Sequence, residues 1–237
     1  MYSQEKFMYK NYIFDLYGTL VDIHTNESKP SLWENMARYM TLQGAPYDSG
    51  ELRRAYRCYI DELRSTPETE VDLACSLRKL YTEKGVEPTN EMIAHWALMF
   101  RTLSLQYVKL FDGAREMLEE LHHRGKKVYL LSNAQRLFTV PEIRSLGIYD
   151  LFDDIFISSD IGFMKPSKQF YTALLSKYNL DPKTCVMTGN DWQADAWGAH
   201  NNGLASMYVH TKQSPEPAGE LPPDCQKLDS IIDILKY

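Results

Sequence analysis

The chain has 237 residues, with 26 basic against 32 acidic side chains and a formal charge of -6. That length can bury a substantial core without disulfide staples, and 44% apolar with 24% charged residues excludes a disordered chain. The basic residues are largely dispersed, with Arg53, Arg54 and Arg57 forming a tight group, which argues against a dedicated nucleic-acid binder; no apolar run reaches the roughly 20 residues of a membrane helix.

In chain order, Asn11–Phe14 reads as a short buried parallel strand. From about Ser31 to Tyr107 the pattern is helical, with no convincing strand. Ser31 opens Leu32–Gln43, and Asp48 or Ser49 opens a helix through Leu63. Pro67 breaks the chain before Val71–Glu83, and Gly85 and Pro88 separate that segment from a helix starting near Thr89. Strand–helix alternation then takes over. Asp112 is expected to cap Gly113–Arg124, which carries Ala114, Met117, Leu118 and Leu121 on one face and stops at Gly125. Strands follow at Lys127–Leu131 and Asp154–Ser158, then an amphipathic helix over Ser167–Tyr178, then strands at Thr184–Met187 and Ala205–Val209. Gln213–Asp224 carries Pro215, Pro217, Pro222 and Pro223 and reads as a surface loop before the apolar Leu228–Leu235. The fold class is therefore α/β, a parallel sheet with helices on both faces and a helical block inserted after the first strand. The expected division is 1–26 with 110–237 as the core and 27–109 as the insert, joined by crossings near His24–Ser28 and Leu110–Asp112.

The strand ends hold the chemistry. Asp15 follows the first strand, ionised at neutral pH and able to attack an electrophile or simply to cap a turn. Ser132 and Asn133 end the second strand with a hydroxyl and an amide that can hold an anion or form a turn. Lys165, fixed by Pro166, can offset carboxylate repulsion or sit in a solvated turn. Asp191 and Asp195 lie four apart after the Thr184 strand, facing one way if a helix starts there; with Asp15 they make hard-oxygen ligands suited to Mg2+, or ordinary first-turn acids. Cys58, Cys75, Cys185 and Cys225 show no metal or disulfide spacing, and Met1–Lys6 has no secretory pattern, so reduced thiols in the cytoplasm are expected.

This ordered set resembles the haloacid dehalogenase superfamily of hydrolases over nearly the whole chain. Asp15-Leu-Tyr-Gly-Thr19-Leu looks like its nucleophile motif, Leu-Leu-Ser132-Asn133 like the second motif, Lys165-Pro166 like the third and Gly189-Asn-Asp191-Trp-Gln-Ala-Asp195 like the acidic fourth. The resemblance implies a Rossmann-like core with a helical cap. It makes Asp15 the nucleophile supported by Thr19, with Ser132, Asn133 and Lys165 binding the transferred group. It also makes Asp191 and Asp195 holders of Mg2+ or its waters, completed by Asp15 and the Tyr17 carbonyl.

Two departures shape the functional expectation. Family phosphatases usually carry an acid–base Asp where this chain has Tyr17, a residue typical of the family's 2-haloacid dehalogenases; Asn190 stands where many phosphatases place a metal-binding Asp. The dehalogenases work without metal and need a cap group such as an Arg for the substrate carboxylate, with Arg38, Arg53, Arg54 and Arg57 as candidates. Tyr171 also fits the dehalogenase pattern but lies in an apolar stripe. The two retained carboxylates favour a Mg2+-dependent phosphatase acting on a small anionic metabolite through an aspartyl intermediate. A metal-free 2-haloacid dehalogenase and a catalytically weak binding protein are the alternatives.

Overall fold

The computed structural model describes residues 9–64, 66–216 and 219–237, so Met1–Lys6 and Pro217 lie outside the described residues. The chain opens with β1 (Asn11–Phe14) and β2 (Val21–Thr25), followed by α1 (Pro30–Leu42), α2 (Ser49–Leu63), α3 (Leu73–Thr82) and α4 (Asn90–Ser104). It returns through β3 (Leu105–Leu110), α5 (Ala114–His123), β4 (Lys127–Ser132), α6 (Arg136–Ser145), β5 (Asp154–Ile157), the single turn α7 (Ser158–Ile161) and α8 (Lys168–Lys177). β6 (Cys185–Gly189), a π-helical turn at Trp192–Trp197, α9 (Gly198–Asn201), β7 (Ala205–Val209) and β8 (Gln226–Leu228) complete it, with a 3-10 turn at Ile231–Lys236.

Six strands form one parallel sheet in the order β5-β4-β1-β6-β7-β8, which is the α/β Rossmann-like class the pattern implied. Because side chains alternate along a strand, each central strand feeds two cores. Tyr12, Phe14, Val128 and Leu130 pack with Met117, Leu118 and Leu121 of α5 on one face. Ile13, Tyr129 and Leu131 pack with Phe170 and Leu174 of α8 on the other. The four helices α1–α4 have a cluster of their own, in which Trp33, Tyr56, Trp96 and Phe100 stack with centroids 5.0–5.7 Å apart. Phe138 of α6 joins that cluster, so the helical block is seated on the core through α6.

Several boundaries differ from expectation. α1 starts at Pro30 with Lys29 at the cap, since proline's fixed φ and missing N–H suit the first helical position, and Ser31 lies inside the helix. α5 is opened by left-handed Gly113 (φ +80°) rather than by the Asp112 side chain. α3 begins two residues after Val71, where Asp72 accepts from Ala74 N. Leu105–Tyr107 belongs to β3, which pairs antiparallel with β2 as a two-stranded hinge sheet, so the supposed all-helical stretch ends in a strand. β3 is half-exposed along its length, which leaves no clean alternation to read; only its pairing with β2 defines it. β2, α6, α7, α9 and β8 are not among the expected elements, and the apolar Leu228–Leu235 starts at the end of β8 and continues as a 3-10 segment over Ile231–Lys236.

Candidate active site

The carboxyl ends of β1, β4 and β6 meet at the centre of the sheet, where the crossovers diverge and open α/β folds bind ligands. A cavity of about 180 Å³ opens there, lined by Asp15, Tyr17, Ser132, Asn133, Lys165, Asn190, Asp191 and Asp195, with Gln213 and Pro215 at its rim. All the residues singled out from the four strand ends thus face one space, except Thr19, which lies behind Asp15.

Asp15 is fixed from three directions. Its N–H continues the β1–β6 ladder to Thr188 O at 2.9 Å. Lys165 Nζ donates to Asp15 Oδ1 at 2.8 Å, with Ser132 Oγ at 3.4 Å from the same oxygen. Thr19 Oγ1 lies 3.1 Å from both Asp15 Oδ2 and Asn190 Oδ1, so its single proton is shared between them. Gly18 (φ +83°) makes this turn possible, because a Cβ there would sit 2.4 Å from Asn190 Nδ2.

Lys165 is fully enclosed, its ammonium between Asp15 Oδ1 at 2.8 Å and Asp195 Oδ1 at 2.7 Å. Burial alone would lower its pKa, but the two carboxylates outweigh burial and hold it above the ordinary lysine value. Asp195 moves upward, chiefly through burial and with the Asp15 charge adding to it, while Lys165 opposes. Asn133 faces the Lys165 backbone with its whole amide: Nδ2 donates to Lys165 O at 2.9 Å and Lys165 N donates to Oδ1 at 2.7 Å.

Asp191 and Asp195 take different posts. Asp191 Oδ1 accepts from Gln193 N at 2.8 Å and Ala194 N at 2.9 Å, capping the π-helical turn. Asp195 Oδ2 accepts from Asp191 N at 2.9 Å, and a Cβ on Gly189 would lie 2.0 Å from that oxygen, so glycine is needed beside it. Tyr171 OH donates to Ala194 O at 2.8 Å and holds the same turn from beneath, in addition to packing in the core. π-helical turns concentrate at functional sites, and here the extra residue brings Asp195 under Lys165.

Tyr17 turns away from the nucleophile. Its hydroxyl donates to Glu142 Oε2 and lies 3.1 Å from Thr139 Oγ1, both on α6. Burial first, and then the Glu142 carboxylate, push the phenol well above its ordinary value of 10. Glu142 in turn faces Arg101 of α4, whose Nε stands 2.9 Å from Oε1 in an ion pair too bent for a hydrogen bond, while the guanidinium lies 4.1 Å from the Phe138 centroid. None of Arg38, Arg53, Arg54 or Arg57 lines the cavity; the insert arginine that meets the core is Arg101, and it meets Glu142. His24 stacks on Tyr107 in the hinge sheet, 5.9 Å between centroids. Thr139, Glu142 and Arg101 carry no sequence signal, because nothing near them in the chain announces a partner more than 40 residues away.

The oxygen donors around the cavity suit a hard cation, and Asp15, Asp191 and Asp195 outnumber Lys165, which leaves the space negative. Among the described residues no three His, Cys, Asp or Glu side chains converge to enclose a metal by themselves. Mg2+ is commonly held by one or two carboxylates together with water and substrate phosphate, and Asp15 and Asp191 are the carboxylates at the cavity that are suited to it.

A carboxylate at a strand tip, a lysine bridging it to a second carboxylate and a parallel sheet are the features on which the comparisons with known proteins bear. The chain belongs to the haloacid dehalogenase-like hydrolase family, whose model matches residues 9–203. It is 25% identical over 195 residues to the glyceraldehyde 3-phosphate phosphatase of Pyrococcus furiosus, covering 82% of this chain and 78% of that one. Among solved structures, the 2-haloacid dehalogenase of Pseudomonas syringae pv. Tomato superposes with a TM-score of 0.66 at 18% identity, over 97% of both chains. The magnesium-bound Bacillus subtilis HAD-hydrolase YfnB superposes with a TM-score of 0.56 at 18% identity, covering 96% of this chain and 97% of that one. Both superpositions, at 18% identity, show a shared fold. Among the described residues no helix is long and apolar enough to cross a membrane.

Proposed function

We propose that this hydrolase is a phosphatase of small phosphorylated metabolites, working through an aspartyl-phosphate on Asp15 with residues 27–109 as its cap. The observation that carries the reading is the buried Lys165 ammonium, wedged 2.8 Å from Asp15 and 2.7 Å from Asp195 in the wall of the cavity. The similarity to a glyceraldehyde 3-phosphate phosphatase supports phosphate release from a small metabolite, while the leaving group is decided by Tyr17. An Asp15 oxygen attacks phosphorus and the bond to the leaving oxygen breaks, that oxygen keeping the electron pair. Water then attacks the same phosphorus, breaks the Asp15–phosphate bond and restores the carboxylate. Lys165 and Ser132 hold the transferred group, Asn133 supports it through the Lys165 backbone rather than by its own committed amide, and Thr19 holds Asp15. Asp15, Asp191 and the Tyr17 carbonyl would hold Mg2+, with Asp195 reaching its waters; the ion when bound offsets charge on the phosphoryl oxygens.

Tyr17 selects the leaving group. Its proton is committed to Glu142, so an alkoxide leaves without help, whereas the carboxylate of an acyl phosphate or an activated phenolate needs none. Acyl phosphates and activated esters are therefore the preferred substrates. The free thiols of Cys58, Cys75, Cys185 and Cys225 support a reducing, cytoplasmic setting.

The same Tyr17 observation favours one second reading, 2-haloacid dehalogenation, since halide also departs unprotonated. Acetyl phosphate, an aryl phosphate and a 2-chloroacid, each with and without Mg2+, separate the readings. Metal-stimulated phosphate release lost in Asp15→Asn supports the phosphatase. Metal-independent halide release replaces it with the dehalogenase, and absence of turnover across a broad panel leaves a binding protein.

A further inference from the structure

Between α2 and α3 the insert sends a short strap, Glu68–Val71, down onto the core. It lies along Gly162–Met164, the residues that lead directly into Lys165. Met164 N donates to Glu68 O at 3.0 Å and Glu70 N donates to Gly162 O at 3.1 Å, with an antiparallel bridge pairing Thr69 and Phe163 between them. The core reaches back through Gln135, two residues after Asn133: its Nε2 donates to Val71 O at 2.6 Å and its Oε1 accepts from Leu73 N at 2.9 Å.

Glu70 ties these contacts together. Its Oε2 accepts from Ser158 Oγ at 2.7 Å, and its Oε1 accepts from Gln135 Nε2 at 3.1 Å and from Val71 N at 2.9 Å. Ser158 Oγ in turn accepts from Ala134 N at 2.8 Å and lies 3.1 Å from Ala134 O, so its one proton is shared between that carbonyl and the nearer Glu70 carboxylate. Ala134 follows Asn133, whose amide holds the Lys165 backbone by two hydrogen bonds. An insert carboxylate thus stands at the head of a path of hydrogen bonds, Glu70–Ser158–Ala134, continued through the peptide link to Asn133, that ends on the Lys165 backbone, the base of the side chain whose ammonium touches Asp15.

From this geometry we infer that Glu70 is a positioning residue for Lys165, and that the strap completes the Lys165 end of the active site when the insert is docked. A carboxylate with three donors on it is a fixed point rather than a solvated surface charge. The loop it fixes carries a lysine whose placement to within a fraction of an ångström sets the rate. Lifting the insert breaks the strap's two backbone bonds and frees the Glu70 carboxylate from Ser158, so substrate entry and assembly of the anion-binding side are one motion.

This inference rests on the proposed role of Lys165, and its test keeps the two apart. With acetyl phosphate as the probe, Glu70→Ala is expected to lower kcat about ten- to a hundredfold with KM little changed. Glu70→Gln retains an oxygen for Ser158 but sets its amide against that of Gln135, and is expected to recover part of the loss. Ser158→Ala should act in the same direction as Glu70→Ala, and the double variant should be no worse than the more impaired single one, as members of one network behave. Hydrogen exchange over residues 158–166 should quicken in Glu70→Ala while α5 stays protected. Wild-type kcat together with unchanged exchange in Glu70→Ala and Ser158→Ala would overturn the inference. If the wild type releases no phosphate that Asp15→Asn abolishes, the functional reading falls, and the exchange measurement still decides whether the strap orders the lysine loop.

Discussion

Two side chains only two residues apart, Asp15 and Tyr17, flank the same cavity and have opposite fates. Asp15 is surrounded by Lys165, Ser132 and Thr19, each placing a donor on a carboxylate oxygen that also faces open space. Tyr17 spends its hydroxyl on Glu142 and Thr139 of α6 and is anchored through Glu142 to Arg101 of the insert. One side chain is held ready in a cavity, and the other is a strut between insert and core. Under the proposed function, attack and departure are separable requirements of the reaction, and the contrast assigns this chain the first without the second.

The contrast breaks most sharply at Asp15. Asp15→Asn is expected to cut phosphate release from acetyl phosphate by at least about a thousandfold, measured against a circular dichroism spectrum that stays native. Activity within an order of magnitude of wild type would move the nucleophile elsewhere. Lys165→Met comes next. It leaves the Asp15 and Asp195 carboxylates facing each other without their cation, so we expect kcat to fall about a hundredfold and urea unfolding to lose about 3 kcal/mol. The Tyr17 side is sharpened by restoring an acid: Tyr17→Asp in a Glu142→Gln background should raise turnover of an alkyl phosphate relative to acetyl phosphate by about a hundredfold. An unchanged ratio would mean that leaving-group protonation is not what Tyr17 withholds. Tyr17→Phe should leave acetyl phosphate turnover essentially as it is.

How much of this was legible depends on how far apart in sequence the cooperating groups lie. Asn11–Phe14 and Ala205–Val209 were readable to the residue because buried parallel strands are short, apolar runs between polar turns. Asp15 and Ser132 were readable because each stands at such a run's end, and Lys165 and Asp195 because each follows a run within about eight residues; the sheet and its turns bring all four to one cavity. β3 was not, since a half-exposed strand in a two-stranded hinge shows no clean period and exists through its pairing with β2. The distinct posts of Asp191 and Asp195 were hidden as well: four-residue spacing suggested one shared face, and the π-helical turn sets one carboxylate on its own backbone and the other on Lys165. Arg101, Glu142 and Glu70 were invisible for a simpler reason. A charged residue on an amphipathic helix or in a polar loop looks solvated until the tertiary fold supplies its partner.

The smallest effect tests the strut itself. Burial raises the Glu142 carboxyl above its ordinary 4.5, with the Arg101 charge and the Tyr17 hydrogen bond only partly offsetting it. The folded protein therefore keeps a proton on Glu142 at pH values where the unfolded chain has lost it. Folded binds more protons than unfolded in that window, so this group makes stability fall as pH rises from about 4.5 toward its raised folded value, and adds no slope beyond. Glutamine does not titrate, so Glu142→Gln should remove that part of the slope. Asp195 is also raised and contributes in the same direction, but it is present in both proteins and cancels in the difference. Urea midpoints measured between about pH 4.5 and pH 7.5 should give a flatter curve for Glu142→Gln than for wild type, lying lower overall by about 1–3 kcal/mol because Arg101 and Tyr17 lose their charged partner. Two parallel curves would place the Glu142 carboxylate in contact with solvent in both states, and the contrast between a poised Asp15 and a tethered Tyr17 would lose its second half.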